Sequence, residues 1–329
     1  MDALRLLEEF VRLPGPPGQE EAVRKAVSDQ VSELGFKSRV DAKGNLLVGP
    51  ADAPIVVTAH LDEIAMICRG FEGDELLVGA LGGLMPWKLG EGPVTIMAPG
   101  KSLDGVLSFG SIHTEDERSP RANPKGIEWN SARVKTGLTA QELAAHGVRP
   151  GTRIAVHPCR RNLFPMGKLV ASHFLDDRAD LVSWLLALES LGDQDVLFAA
   201  TVAEEVGGEG ALYLLNSVRP EICIALELGP NVPDAPVVVN SRPTLWVSDS
   251  YSTMAAADID LVASCGDVQF QALSRGGSDA SCAASHGHTA RPFTLGLPME
   301  NSHGFEIIHR DSMQALADLT VNLITKLRK

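Results

Sequence analysis

The stretch that most constrains this chain is Pro54-Ile55-Val56-Val57-Thr58-Ala59, an apolar, β-branched run without polar alternation. A strand with one wet face alternates apolar and polar residues. A strand that does not alternate must be covered on both faces, as in a parallel sheet sandwiched between helices. Further strands are expected at 196–202, 222–226 and 292–297, with a short extended piece at 45–48. Helical spacing separates them. Leu4, Leu7 and Phe10 open the chain, which breaks at Pro14-Gly15-Pro16-Pro17-Gly18. Val23, Ala26, Val27, Val31 and Leu34 then share one face, and further helices are expected at 176–191, 208–216, 278–286 and 312–327. Alternating strands and helices predict an α/β fold.

Between about residues 70 and 164 the texture changes. Short apolar patches at 76–78, 94–97, 106–109 and 153–156 lie between frequent Gly and Pro, a polar stretch runs over 114–130, and only 139–146 reads as helix. Short strands with turn signals predict a β-rich insertion. Residues 1–69 and 165–329 would then form one discontinuous α/β domain around an insertion domain at 70–164. No internal repeat is evident.

Charge narrows the function. Lys and Arg number 29 against 42 Asp and Glu, a formal charge of −13 over 329 residues. Nucleic-acid and anionic-membrane binding need clustered positive charge, so neither is expected. Five cysteines (Cys68, Cys159, Cys223, Cys265, Cys282) are dispersed without a CxxC pair, which predicts buried thiols in a reducing compartment. The first residues lack the apolar core of a signal peptide, and no apolar run reaches the ~20 residues a membrane span needs. A soluble cytoplasmic protein is expected.

Metal-competent side chains recur at the carboxyl ends of the expected strands, the edge where open α/β sheets build sites. His60-Leu61-Asp62-Glu63 follows the first, Glu204-Glu205 the second, Glu227 the third, and His303 lies in the loop after the fourth; Asp176-Asp177 opens a helix. Histidine and carboxylates on one edge suit a zinc-like cation. Asp62, two residues from His60 on an extended chain, can accept the other ring N–H. Adjacent Glu204 and Glu205 repel unless water or a cation relieves them; one can ligate while the other serves as general base. Each also has an ordinary reading: a strand-end histidine, solvated loop acids, a loop histidine. For Asp177, an acid at a helix N-terminus beside Arg178, that reading is the stronger. His113, His146, His157, His286, His288 and His309 show no convergent pattern and read as structural.

Together these stretches resemble the dinuclear-zinc aminopeptidases of the glutamyl/deblocking aminopeptidase family, which includes the self-compartmentalising tetrahedral (TET) enzymes. The matching segments are His60-Leu-Asp-Glu-Ile64, Leu175-Asp-Asp-Arg178, Thr201-Val-Ala-Glu-Glu-Val206, Gly276-Gly-Ser-Asp-Ala280 and Ser302-His303, with Pro17–Glu21, Leu81-Gly-Gly83 and Gly147-Val-Arg-Pro-Gly151 as further landmarks. The resemblance implies a three-layer αβα zinc-peptidase domain with a mixed, largely parallel sheet and a barrel-like insertion. It implies two divalent ions per subunit, zinc with cobalt or manganese as alternatives. His60, Asp176 and Glu227 would hold one, and Asp176, Glu205 and His303 the other. Glu204 would be the base and Asp62 the orienter of His60, while Gly276, Gly277, Ser278 and Asp279 would line the substrate site. A peptide substrate is implied, and a homo-oligomer, dodecameric by resemblance with a dimer as fallback. Two departures stand out: Glu227 replaces the family's usual Asp, and Pro298-Met-Glu-Asn301 replaces Pro-Thr-Arg-Tyr before the last histidine. Alternatives are a related carboxypeptidase or N-acyl-amino-acid deacylase, a glycoside hydrolase using Glu204 and Glu227, and a metal-binding protein without catalysis.

Overall fold

The computed structural model describes residues 1–116, 119, 121–123, 126–192 and 195–328. Its sheet centres on four mutually parallel strands in the order Val196–Thr201, Ile55–His60, Ile222–Pro230 and Arg291–Glu300. All six residues of Ile55–His60 and all six of Val196–Thr201 are buried, as runs without alternation require. The pleat divides them between two cores. Ile55, Val57 and Ala59 join one apolar cluster with the helices Ala3–Val11, Glu21–Glu33, Leu175–Leu191 and Ser312–Leu327. Val56 joins another with Ala211, Leu214 and Leu215 of helix Glu209–Val218 and with Ala280 and Ala283 of helix Asp279–Ser285. Helices thus cover both faces, giving the expected three layers.

Short antiparallel strands complete the sheet. Leu46–Val48 and Ser38–Val40 extend one edge. Phe305–His309, Leu169–His173 and Phe164–Met166 extend the other, and Thr244–Ser248 with Gln269–Ala272 branches from Arg291–Glu300. Apart from Leu46–Val48, none of these strands was expected, nor was helix Ala256–Ala263. They are too short, or too mixed in exposure, to carry a periodic signal. Two central strands also outrun their expected ends, so Glu227 lies inside Ile222–Pro230 rather than after it, because Leu228 continues the apolar run.

The insertion is a closed six-stranded antiparallel barrel: Ala65–Glu72, Glu75–Leu81, Arg133–Lys135, Lys101–Ser108, Gly92–Ala98 and Arg153–Val156. It encloses a core of its own around Met66, Val78, Ile96, Leu107, Val134 and Ile154. Helix Ala140–Ala145 packs there behind a Thr139–Glu142 capping box. Strand Ala65–Glu72 crosses the expected junction at 69/70, and parts of the polar stretch 114–130 lie outside the described residues. All five cysteines are unpaired; Cys68, Cys223 and Cys282 are buried, whereas Cys159 is exposed, against expectation. Among the described residues no helix is long and apolar enough to cross a membrane.

Trp184 anchors the layer beneath the site. It is fully buried, donates from Nε1 to the Val57 carbonyl at 3.2 Å and meets Phe198 edge-on at 5.4 Å. Trp184→Ala should lower unfolding free energy by about 3–5 kcal/mol in urea titrations, the range for a buried aromatic truncated to alanine. A change below about 1 kcal/mol would contradict this packing.

Candidate metal centre

The central strands end side by side, and their polar ends meet. His60 closes its strand opposite Thr201. Its backbone N–H donates to Asp177 Oδ2 at 2.6 Å, while Nε2 lies 3.1 Å from Asp176 Oδ1. Asp176 and Asp177, joined by a cis peptide, have non-helical backbone angles, and regular helix begins only after them. Glu204 and Glu205 sit on the turn into helix Glu209–Val218, where Ala203 has a φ of 55°. His303 occupies the connection between Arg291–Glu300 and Phe305–His309, with a φ of 60°. Its Nδ1 is 3.1 Å from the Gly83 carbonyl, leaving Nε2 3.5 Å from Asp176 Oδ2 and 3.7 Å from Glu205 Oε2.

Two groups of potential ligand atoms result, each within a mutual 4.8 Å: His60, Asp176, Asp177 and Glu227, and separately Asp176, Glu205 and His303. Asp176 belongs to both. Asp177, read from sequence as a helix-terminus acid, is fully buried in the first group, its Oδ2 accepting the His60 backbone N–H rather than facing solvent. Asp62 faces both His60 and the turn bearing Glu204 and Glu205. His60 Nδ1 lies 3.1 Å from the Asp62 backbone carbonyl and 3.5 Å from its carboxylate. That carboxylate also accepts the backbone N–H groups of Glu204 at 3.0 Å and Glu205 at 3.1 Å.

The electrostatics are those of an overcrowded acidic site. Burial, reinforced by neighbouring carboxylates, pushes Glu204 and Glu227 well above the ordinary carboxylate range. Burial pushes Glu205 up to about 7 despite His303 nearby. Burial also opposes ionisation of Asp176, but hydrogen bonds from His303 and His60 outweigh it and hold that carboxyl below the ordinary range. Conversely, burial disfavours charge on His60, yet Asp177, Asp176 and Asp62 raise its proton affinity far above normal. Two buried arginines are committed elsewhere: Arg161 and Arg178 both pair with Glu63, and Arg178 Nη1 donates to the Leu61 and Asp62 carbonyls. Glu205 Oε1 is buried without a hydrogen-bond partner. An unpartnered buried carboxylate oxygen amid imidazole and carboxylate donors fits a divalent cation.

A cleft of about 400 Å³ opens onto these residues, walled by Trp246, Tyr251, Leu273 and Arg275 and by Gly276, Gly277 and Ser278. Gly277, Ser278 and the adjoining Asp279 also have partners within the protein itself. A Cβ on Gly277 would lie 2.3 Å from the Tyr251 ring, so this glycine makes room for a side chain of the same protein. Ser278 is fully buried, caps helix Asp279–Ser285 and bonds Thr294 Oγ1 at 2.7 Å. Asp279 is turned away, accepting Thr201 Oγ1 at 2.6 Å. Reasoning from sequence missed Asp177, the Glu63–Arg161–Arg178 network, Glu306 and His173. A pointer to His173 existed, since it stands three residues before Asp176.

The chain as a whole is similar to known proteins. The M42 glutamyl aminopeptidase family model matches residues 44–319, and the chain belongs to that family. A lysyl aminopeptidase of Pyrococcus furiosus is 27% identical over 230 residues, covering 68% of this chain and 65% of that relative, just under two thirds of its length. A Pyrococcus horikoshii TET1 peptidase, described as assembling into a tetrahedron or a large octahedral shell, superposes with a TM-score of 0.85 at 26% identity, covering 98% of each chain. An aminopeptidase from the archaeon Desulfurococcus kamchatkensis shares the fold with a TM-score of 0.86 at 23% identity, covering 98% of this chain and 94% of that one.

His173 ties together the connections bearing Asp176 and His303, its Nδ1 2.9 Å from the Gly304 carbonyl. Burial, with Arg160 and Arg161 nearby, holds its pKa down at about 4. An unfolded histidine binds its proton near 6.5, so acidification favours the unfolded chain as pH falls from about 6.5 to about 4, and the contribution is complete only above that window. Between about pH 7 and pH 5, metal-free His173→Gln should therefore lose less unfolding free energy than metal-free wild type, by about 2 kcal/mol. Parallel stability curves in urea titrations at the two pH values would contradict this.

Proposed function

We propose that this chain is a metal-dependent aminopeptidase that removes N-terminal residues from short peptides. The observation that carries the reading is Asp176, shared by two adjoining groups of ligand atoms with Glu204 beside them. His60, Asp176 and Glu227 would hold one divalent ion, and Asp176, Glu205 and His303 a second, with zinc, cobalt and manganese all suited to these donors. When bound, such a pair acidifies water and polarises a carbonyl. The longer Glu227, in place of the family's Asp, still presents a carboxylate to His60 and Asp176.

The remaining chemistry belongs to the protein. Glu204, buried among other acids, has the raised proton affinity a general base requires. It would take a proton from the attacking water and return it to the departing amine. Asp62 fixes the backbone on which Glu204 and Glu205 stand. Family membership and the aminopeptidase relatives support peptide hydrolysis from the N-terminus. The tetrahedral and octahedral shells described for the similar TET1 peptidase support a homo-oligomer. Unpaired cysteines support a reducing, cytoplasmic setting.

The test uses aminoacyl p-nitroanilides alongside their N-acetylated forms. Free-amine substrates should be cleaved and acetylated ones refused, and Glu204→Gln should lower kcat by about 10²–10⁴-fold with metal content unchanged. Faster cleavage of the acetylated substrate would point to a deacylase instead. Full turnover in Glu204→Gln would remove the proposed base.

A further inference from the structure

Glu306 lies on strand Phe305–His309, is 1% exposed and belongs to neither group of ligand atoms. Both of its carboxylate oxygens are committed to backbone N–H groups: Oε2 accepts from Asp176 at 3.0 Å and Oε1 from His303 at 2.9 Å. These two amides sit on separate connections, one entering helix Leu175–Leu191 and one joining Arg291–Glu300 to Phe305–His309. Asp176 and His303 are also two of the three members of the second ligand group.

The fold gives those amides little else to hold them. Asp176 has backbone angles of −73° and 108° at the head of its helix, and His303 has a φ of 60°. The antiparallel register sets Glu306 opposite Ser172, on the strand that leads to Asp176. From there one short, buried side chain spans both connections. Burial and the Asp176 charge beside it push the carboxyl's pKa up to about 8, against the bonds from the two amides, which favour the charged form and pull it down. Glutamine cannot replace it fully, because its single oxygen serves one amide and its NH₂ would face the other.

We infer that Glu306 is a positioning residue that sets the spacing of Asp176 and His303 and thereby the cation affinity of the Asp176–Glu205–His303 site. The inference rests on the proposed two-cation reading and extends it to a residue outside the ligand groups. Partners that orient metal ligands typically change affinity by ten- to a hundredfold when replaced.

The experiment titrates zinc into metal-free wild type and Glu306→Gln, following heat and metal content per chain, with thermal melts as a folding check. Wild type should bind two ions, and the variant should lose ten- to a hundredfold in affinity at the site that holds both Asp176 and His303, with a smaller loss at the other, which shares only Asp176. Wild-type affinities at both sites of a folded variant would overturn the inference, as would equal weakening of both, which marks general loosening. Failure of wild type to bind two ions would overturn the cation reading instead, independently of Glu306. Should Glu306→Gln not fold, hydrogen–deuterium exchange on metal-free wild type decides. His303 is only half-buried, so slow exchange of its amide and that of Asp176 supports the bonds, and fast exchange at either overturns them.

Discussion

The structure turns on one electrostatic imbalance. Asp62, Asp176, Asp177, Glu204, Glu205 and Glu227 crowd the carboxyl edge of a parallel sheet, with His60 and His303 as the histidines of the ligand groups among the described residues and the buried Arg161 and Arg178 engaged by Glu63. Like charges about 4 Å apart repel by about 4 kcal/mol at an effective dielectric of 20, and more where water is excluded. No packing of apolar neighbours relieves that. Divalent cations do, and they convert a cost of folding into a binding site. The doubly covered sheet supplies the rigidity that holds the acids in place: with both faces sealed by helices, strand ends cannot drift apart to let the charges separate.

The same acids also solve a second problem. Connections at the sheet edge leave backbone N–H groups without ladder partners, and buried donors need acceptors. Carboxylates fill that role here. Asp62 takes the amides of Glu204 and Glu205, Asp177 takes that of His60, and Glu306 takes those of Asp176 and His303. Every proposed ligand residue except Glu227 is therefore held through its backbone by an acid from elsewhere in the chain. Glu227 needs no such bond, since it stands inside a strand.

What could be read from sequence follows the same physics. Unbroken apolar runs marked the central strands, because burial on both faces leaves no room for alternation. The residues at the ends of those runs then marked His60, Glu204 and Glu205. Asp177 escaped because an acid beginning a helix has an ordinary explanation, and only the local backbone reveals where its carboxylate points. Glu306 escaped for a different reason: its role depends on the pairing of Phe305–His309 with Leu169–His173, distant segments whose short strands carry no periodic signal. Gly277 and Ser278 line the cleft, and their partners, Tyr251 and Thr294, are set by tertiary contacts that local sequence does not encode.

Asp176 is shared by both groups of ligand atoms, and on the proposed reading it joins two cation sites into one. Metal content of purified wild type and Asp176→Ala, measured by elemental analysis after dialysis against dilute zinc, tests it most directly. Two ions per chain in wild type and loss of both in the folded variant are the expected outcome. Retention of two ions by Asp176→Ala, or no bound metal in wild type, would contradict it.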